Sequence, residues 1–150
     1  MNKIRFTLIF AAMLGISSLA SAQGTLDKNV MIDSAQGNFV RIVSMEPDNN
    51  VPLIVGEKVN FKFKIEYQLN DAKASISLVI QKAGTDATQK VEETIATQTK
   101  TVSKGSGTIE LAESLTVPDT GVIQIFTPLI VDGQTQTQVV DIRVYEVKKR

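Results

Sequence analysis

Between Val59 and Tyr67 every second residue is apolar. Val59, Phe61, Phe63, Ile65 and Tyr67 alternate with Asn60, Lys62, Lys64 and Glu66. Successive side chains on a strand point to opposite faces, so this segment has one apolar face and one polar face. A helix would scatter the same residues around its circumference. Such a strand covers a core on one side and meets water on the other, as in an antiparallel sheet. The rest of the chain keeps this rhythm. Residues 38–46 are rich in β-branched side chains and stop at Pro47, and Pro47-Asp48-Asn49-Asn50 supplies turn chemistry. Residues 51–55 read as a short edge strand, the place where Pro52 is tolerated. After an expected turn at Asn70-Asp71, Ala74, Ile76, Leu78 and Ile80 alternate with mostly polar neighbours, and the stretch 83–86 ends that strand. Residues 91–102 are Thr-rich and weakly apolar, the character of an edge strand. Residues 104–107 (KGSG) read as a turn. Ile109, Leu111, Leu115 and Val117 mark a further strand, ended by Pro118-Asp119. Two β-rich runs, 121–131 and 134–147, flank Asp132-Gly133, the signature of a two-residue hairpin.

With the short segment 51–55 set aside, that is seven main strands and no segment with helical period. Turn signals at this spacing predict an all-β chain: an antiparallel immunoglobulin-like β-sandwich over residues 38–150, with its core supplied by the alternating faces. Residues 23–37 have little periodicity and read as a flexible lead-in, with room for one short strand at Val30-Met31-Ile32. Residues 1–22 have the form of a cleaved signal peptide: a basic end with Lys3 and Arg5, an apolar run of about a dozen residues, and the small-residue site Ala20-Ser21-Ala22. The run is shorter than the ~20 residues a span needs. Cleavage after Ala22 leaves 128 of the 150 residues, and 14 basic side chains against 16 acidic ones. We therefore expect a secreted or periplasmic protein with no membrane span in its mature form. Its charge offers no footprint for nucleic acid.

Residues 56–67 (GEKVNFKFKIEY), with Pro47 and Pro52 before them, resemble the opening strands of bacterial secreted immunoglobulin-like and fibronectin III-like domains. In these a Gly-led turn is followed by a long alternating strand. The resemblance implies a sandwich fold and a role in binding, adhesion or spacing. It implies no catalytic residues.

Composition removes several chemistries. The chain has no Cys, His or Trp. Disulfides, thiolate nucleophiles and zinc–thiolate sites are thereby excluded, as are the commonest general base and the commonest metal ligand. A Ser nucleophile would need Lys, Asp or Glu as its base. Ser103 and Lys104 are adjacent, and adjacent strand residues face opposite ways. Glu92 and Glu93 fail as a glycosidase pair for the same reason. Asp48, Asn49 and Asn50, or Asp119 with Asp132, supply oxygens of the kind Ca²⁺ takes, but lack an Asp-x-Asp-x-Asp series and read as turn formers. Among the aromatics, Phe61, Phe63 and Tyr67 share the apolar strand face and read as core. Phe39 and Tyr145 are left as candidate exposed rings. The tail Lys148-Lys149-Arg150 reads as a frayed basic terminus. Glu113 interrupts the apolar series Ile109, Leu111, Leu115, Val117. A bulge that turns it outward, a place at the rim, or true burial would each account for it.

The expected function is that of a non-enzymatic binding or assembly module of the cell envelope. Its partner would be another protein or envelope component, and no cofactor, metal or catalytic residue is assigned. The alternatives are a fimbrial-type subunit that works by strand addition, which the complete strand set disfavours, and a carboxylate-based hydrolase.

Overall fold

The structure, a computed structural model, describes residues 29–34, 36–84, 91–135 and 139–150, with backbone only at Val91 and Glu92. The expected signal peptide and the first part of the lead-in lie outside them. The described residues form seven strands: β1 (Asn29–Ile32), β2 (Phe39–Glu46), β3 (Leu53–Ile54), β4 (Lys58–Ala83), β5 (Val91–Thr116), β6 (Val122–Val131) and β7 (Val139–Lys148). Pairing is antiparallel except where β3 runs parallel to the end of β7, Leu53 opposite Val147. The chain is an all-β sandwich of immunoglobulin-like type.

Two strands are much longer than the sequence pattern suggests. β4 and β5 have 26 residues each. The first half of β4 lies between β2 and the second half of β5. The second half of β4 lies between β6 and the first half of β5. One layer is therefore β2, β4 and β5, and the other is β1, β7, β6, β4 and β5. The expected turns at Asn70-Asp71 and at residues 104–107 are bends inside continuous strands. At the bend the register slips between Leu69 and Lys73, where Asn70, Asp71 and Ala72 of β4 stand against Lys104 alone. Gly105 takes φ of 125° there, a conformation that favours glycine. Across the bend the inward residues of β4 change parity, from Phe61, Phe63, Ile65 and Leu69 to Ala74, Ile76, Leu78 and Ile80. A strand that passes from one layer to the other must do this to keep its apolar side chains in the core.

Asn38 fixes the bend. Its side-chain amide donates to Asp71 Oδ2 at 2.8 Å, and its carbonyl oxygen accepts from the Asn70 backbone N–H at 2.8 Å. The main core joins both layers, with Val40 and Ile42 of β2, Leu111 of β5, Ile123, Ile125 and Leu129 of β6, and Tyr145 of β7. A second apolar cluster occupies the other face of the β6–β7 layer: Val79, Ala83, Val122, Phe126, Val140, Ile142 and Val144, flanked by Val30 and Ile32 of β1. β6 and β7 are thus buried on both faces.

A turn forms at Asp132-Gly133 as expected: Gln134 N–H closes on the Val131 carbonyl and Gly133 has φ of 82°. Among the described residues, which leave out 136–138, the β6–β7 pair nearest the turn is Leu129 with Val139. β6 runs past that point because it stays bound to β4, where Val131 faces Ala74.

Candidate interaction edge

β5 pairs with β4 alone among the described residues, so it forms the edge of both layers. On an antiparallel edge, every second residue directs its N–H and C=O away from its partner strand. The two halves of β5 treat these groups differently. In the second half three of them are taken by side chains. Gln98 Oε1 accepts from the Ala112 N–H at 2.9 Å, Lys100 Nζ donates to the Glu110 carbonyl at 2.8 Å, and the Glu113 carboxylate accepts from the Ser114 N–H at 3.2 Å. Gln98 and Lys100 lie opposite Leu78 and Ile76, hence on the inward face of the first half of β5. They reach across the lateral opening between the layers and close it.

Among the described residues, the first half of β5 keeps its edge open. Its outward face is a row of hydroxyls. Thr99 Oγ1 lies 2.8 Å from Ser77 Oγ, and Thr94 Oγ1 accepts from Gln81 Nε2 at 3.0 Å. Thr97 and Thr101 are exposed beside them. Glu93 is held by Lys82 at 2.8 Å. Lys100 is turned onto the Glu110 carbonyl. Residues 96–99 carry no charge, and the strand is regular from Ala96 to Ser103, beyond the bulge at Ile95.

The edge of β2 meets a different solution, and sequence reasoning missed it. Asp141 and Arg143 of β7 point inward beside Val139 and Tyr145. Asp141 Oδ2 accepts from the Ile42 N–H at 2.8 Å and from Arg143 Nη2 at 2.9 Å, while Arg143 Nη2 donates to the Ile42 carbonyl at 3.3 Å. The pair stands where the next strand's backbone would be. Arg143 Nη1 is 2.7 Å from Asp141 Oδ1, an ion pair that leaves Oδ1 without a hydrogen bond of regular geometry. Burial pushes the Asp141 carboxyl up to about 6, against the opposing pull of the Ile42 N–H, Arg143 and Arg41. The sequence signal was two opposite charges at alternate positions of an otherwise apolar run, VVDIRV.

The other candidates disperse. Tyr145 is fully buried and its hydroxyl donates to the Pro47 carbonyl at 2.7 Å, so it is not an exposed ring. Burial, with Asp48 nearby, pushes its phenol upward. Phe39 is half-buried with the Arg41 guanidinium 4.6 Å above it. Phe61 and Phe63 are core, and the Tyr67 ring rests on Gly107, where any Cβ would collide with it. Asp48 accepts from the Asn50 N–H at 2.7 Å in an Asx turn, and Asn49 is buried with its amide on the Val144 carbonyl. Asp119 pairs with Lys149, and Arg150 pairs with Glu57, so both end residues of the basic tail make surface ion pairs. Ser103 and Lys104 are both exposed. The side chain of Glu92 lies outside the described residues. Glu113 sits in register opposite Phe61 with no bulge, half-buried at the rim. A hollow of about 240 Å³ near the bend is lined by Ser34, Asn38, Asp71 and Gln134, and Asn38 already occupies its carboxylate. No group of three metal-ligating side chains occurs among the described residues.

No known family profile matches the chain, and no curated protein matches its sequence. Among solved structures it is similar to the C-terminal domain of Wzt, with a TM-score of 0.52 at 13% identity over 85% of this chain and 82% of that one. The likeness is one of fold. A CARDB domain from Pyrococcus furiosus, solved with di-metal ions, gives 0.44 at 10% identity over 84% and 99%. A β-glucosidase from Listeria innocua gives 0.44 at 17% identity over 75% of this chain and 16% of the enzyme.

Proposed function

We propose that the chain is exported and serves the cell envelope as a non-enzymatic binding or assembly module. Its partner is another protein or envelope component, engaged through the first half of β5. The observation that carries this reading is the contrast along one strand. Where β5 edges the first layer, three of its outward backbone groups are occupied by side chains. Where it edges the second, no strand partner is present among the described residues and the nearby charges are turned onto the chain itself. An unpaired edge offers main-chain hydrogen bonds to an added strand, and the alternate side chains beside it set specificity.

Backbone amide exchange tests the proposal. The exported protein is measured alone and with detergent-solubilised native envelope. We expect slowed exchange at residues 96–103, with the core amides of β6 and β7 unchanged. Equal exchange at 96–103 in both samples rejects this edge as the binding surface.

A further inference from the structure

We infer that the partner at this edge is a second copy of the same chain, paired antiparallel through residues 96–102 about a two-fold axis at Thr99. This rests on the proposed use of the β5 edge and names its occupant. Three observations lead to it.

The open section is short and bounded by its own chain. Ile95 is extra in the register, since Ile80 faces Ala96 while Gln81 faces Thr94. Such a bulge twists a strand away from further pairing. The bend at Ser103-Lys104-Gly105 ends the regular stretch on the other side. Beyond the bend one outward group at each of Glu110, Ala112 and Ser114 is occupied by a side chain. A symmetric incoming strand thus has about seven residues, 96–102, to pair with, close to an ordinary strand length.

The sequence of that section complements itself. In a symmetric antiparallel pair, a residue and its opposite number share a face, so the axis passes through one residue. Centred on Thr99, the pairing sets Thr97 against the partner's Thr101, Thr99 against Thr99, and Thr101 against Thr97 on the outward face. Ala96 meets Val102 and Gln98 meets Lys100 on the inward face. Thr–Thr pairs and β-branched neighbours are favourable cross-strand contacts. No like charges are opposed. Centring on Lys100 would instead set two ammonium groups against each other. A partner of unrelated sequence would have no reason to find this threonine alternation repeated at the right spacing.

The charges that would deter edge pairing are withdrawn. Lysine on an edge normally blocks association. Here Lys100 is bonded to Glu110, and Glu93 is bonded to Lys82. Two copies joined in this way would fuse their second layers into one continuous sheet.

The chain has no cysteine, so one introduced thiol reports one contact. Thr99→Cys, purified after export, should form a disulfide-linked dimer under mild oxidation. Lys62→Cys, on the exposed face of β4 in the first layer, should not. In sedimentation the parent should be a dimer. Thr99→Lys should weaken association at least ~10-fold by opposing two charges on the axis, while its far-UV circular dichroism stays that of the folded parent. A parent that stays monomeric at millimolar concentration overturns the inference, as does Thr99→Cys that crosslinks no faster than Lys62→Cys. If the monomeric parent still gained envelope-dependent protection at residues 96–103, the inference would fail and the broader binding proposal would stand.

Discussion

Lys62 and Phe63 are neighbours in sequence and sit in opposite surroundings. Phe63 is 1% exposed in the main core beside Phe61, and Lys62 faces water. Phe63→Ala should cost about 3–5 kcal/mol, the usual loss for a buried aromatic, and Lys62→Ala should stay within about 0.5 kcal/mol. Chemical denaturation of both variants checks the contrast. Asp141 makes a finer test. Its carboxyl is pushed from 3.8 up to about 6 in the folded chain. The folded state therefore holds the proton more tightly than the unfolded state does. The stability this residue contributes is full below about pH 4 and is lost as pH rises through about 6, a change on the order of 3 kcal/mol. Urea midpoints of the parent should fall across that window relative to those of Asp141→Asn, which cannot titrate. Equal pH slopes in the two proteins would contradict the buried, poorly solvated carboxylate. Glu113, by contrast, lies at the rim with its carboxylate on the Ser114 N–H. Glu113→Gln should be close to neutral at pH 7.

At the scale of strands, the bend in β4 is held by one side chain. Asn38→Ala removes both hydrogen bonds to Asn70 and Asp71 and should cost about 1–3 kcal/mol. Amide exchange at residues 69–73 should quicken before that of β6. Much of this architecture was legible. The alternation from Val59 to Tyr67 located the first half of β4 and its inward face correctly, and the Thr-rich stretch was an edge, as its weak apolarity implied. What escaped has physical causes. Asn70-Asp71 and Gly105 do mark a change of direction, but turn residues serve a bend within a paired strand as well as they serve a reversal. Local sequence does not separate the two, because the difference lies in pairing with residues more than thirty positions away. β6 and β7 bury both faces, so their apolar runs carry no alternation from which a face could be read. Asp141 and Arg143 were hidden inside such a run. Their role depends on the open edge of β2, which no local pattern near residue 141 reveals.

For the whole molecule, the expected signal peptide and the proposed export make one prediction. The protein recovered outside the cytoplasm should begin at Gln23, as an intact mass that lacks residues 1–22, with or without cyclisation of the new N-terminus. A membrane-retained product that keeps them would contradict the expected location. The folded unit has a further property that follows from its two long strands. β4 and β5 each contribute half their length to one layer and half to the other. Neither layer can be detached while the other keeps its strands, so the sandwich has no internal seam along which to melt. The two layers should therefore lose their structure in a single thermal event, with calorimetric and van't Hoff enthalpies that agree. A tryptophan placed at Lys62 in the first layer should report the same midpoint as one placed at Ile130 in the second.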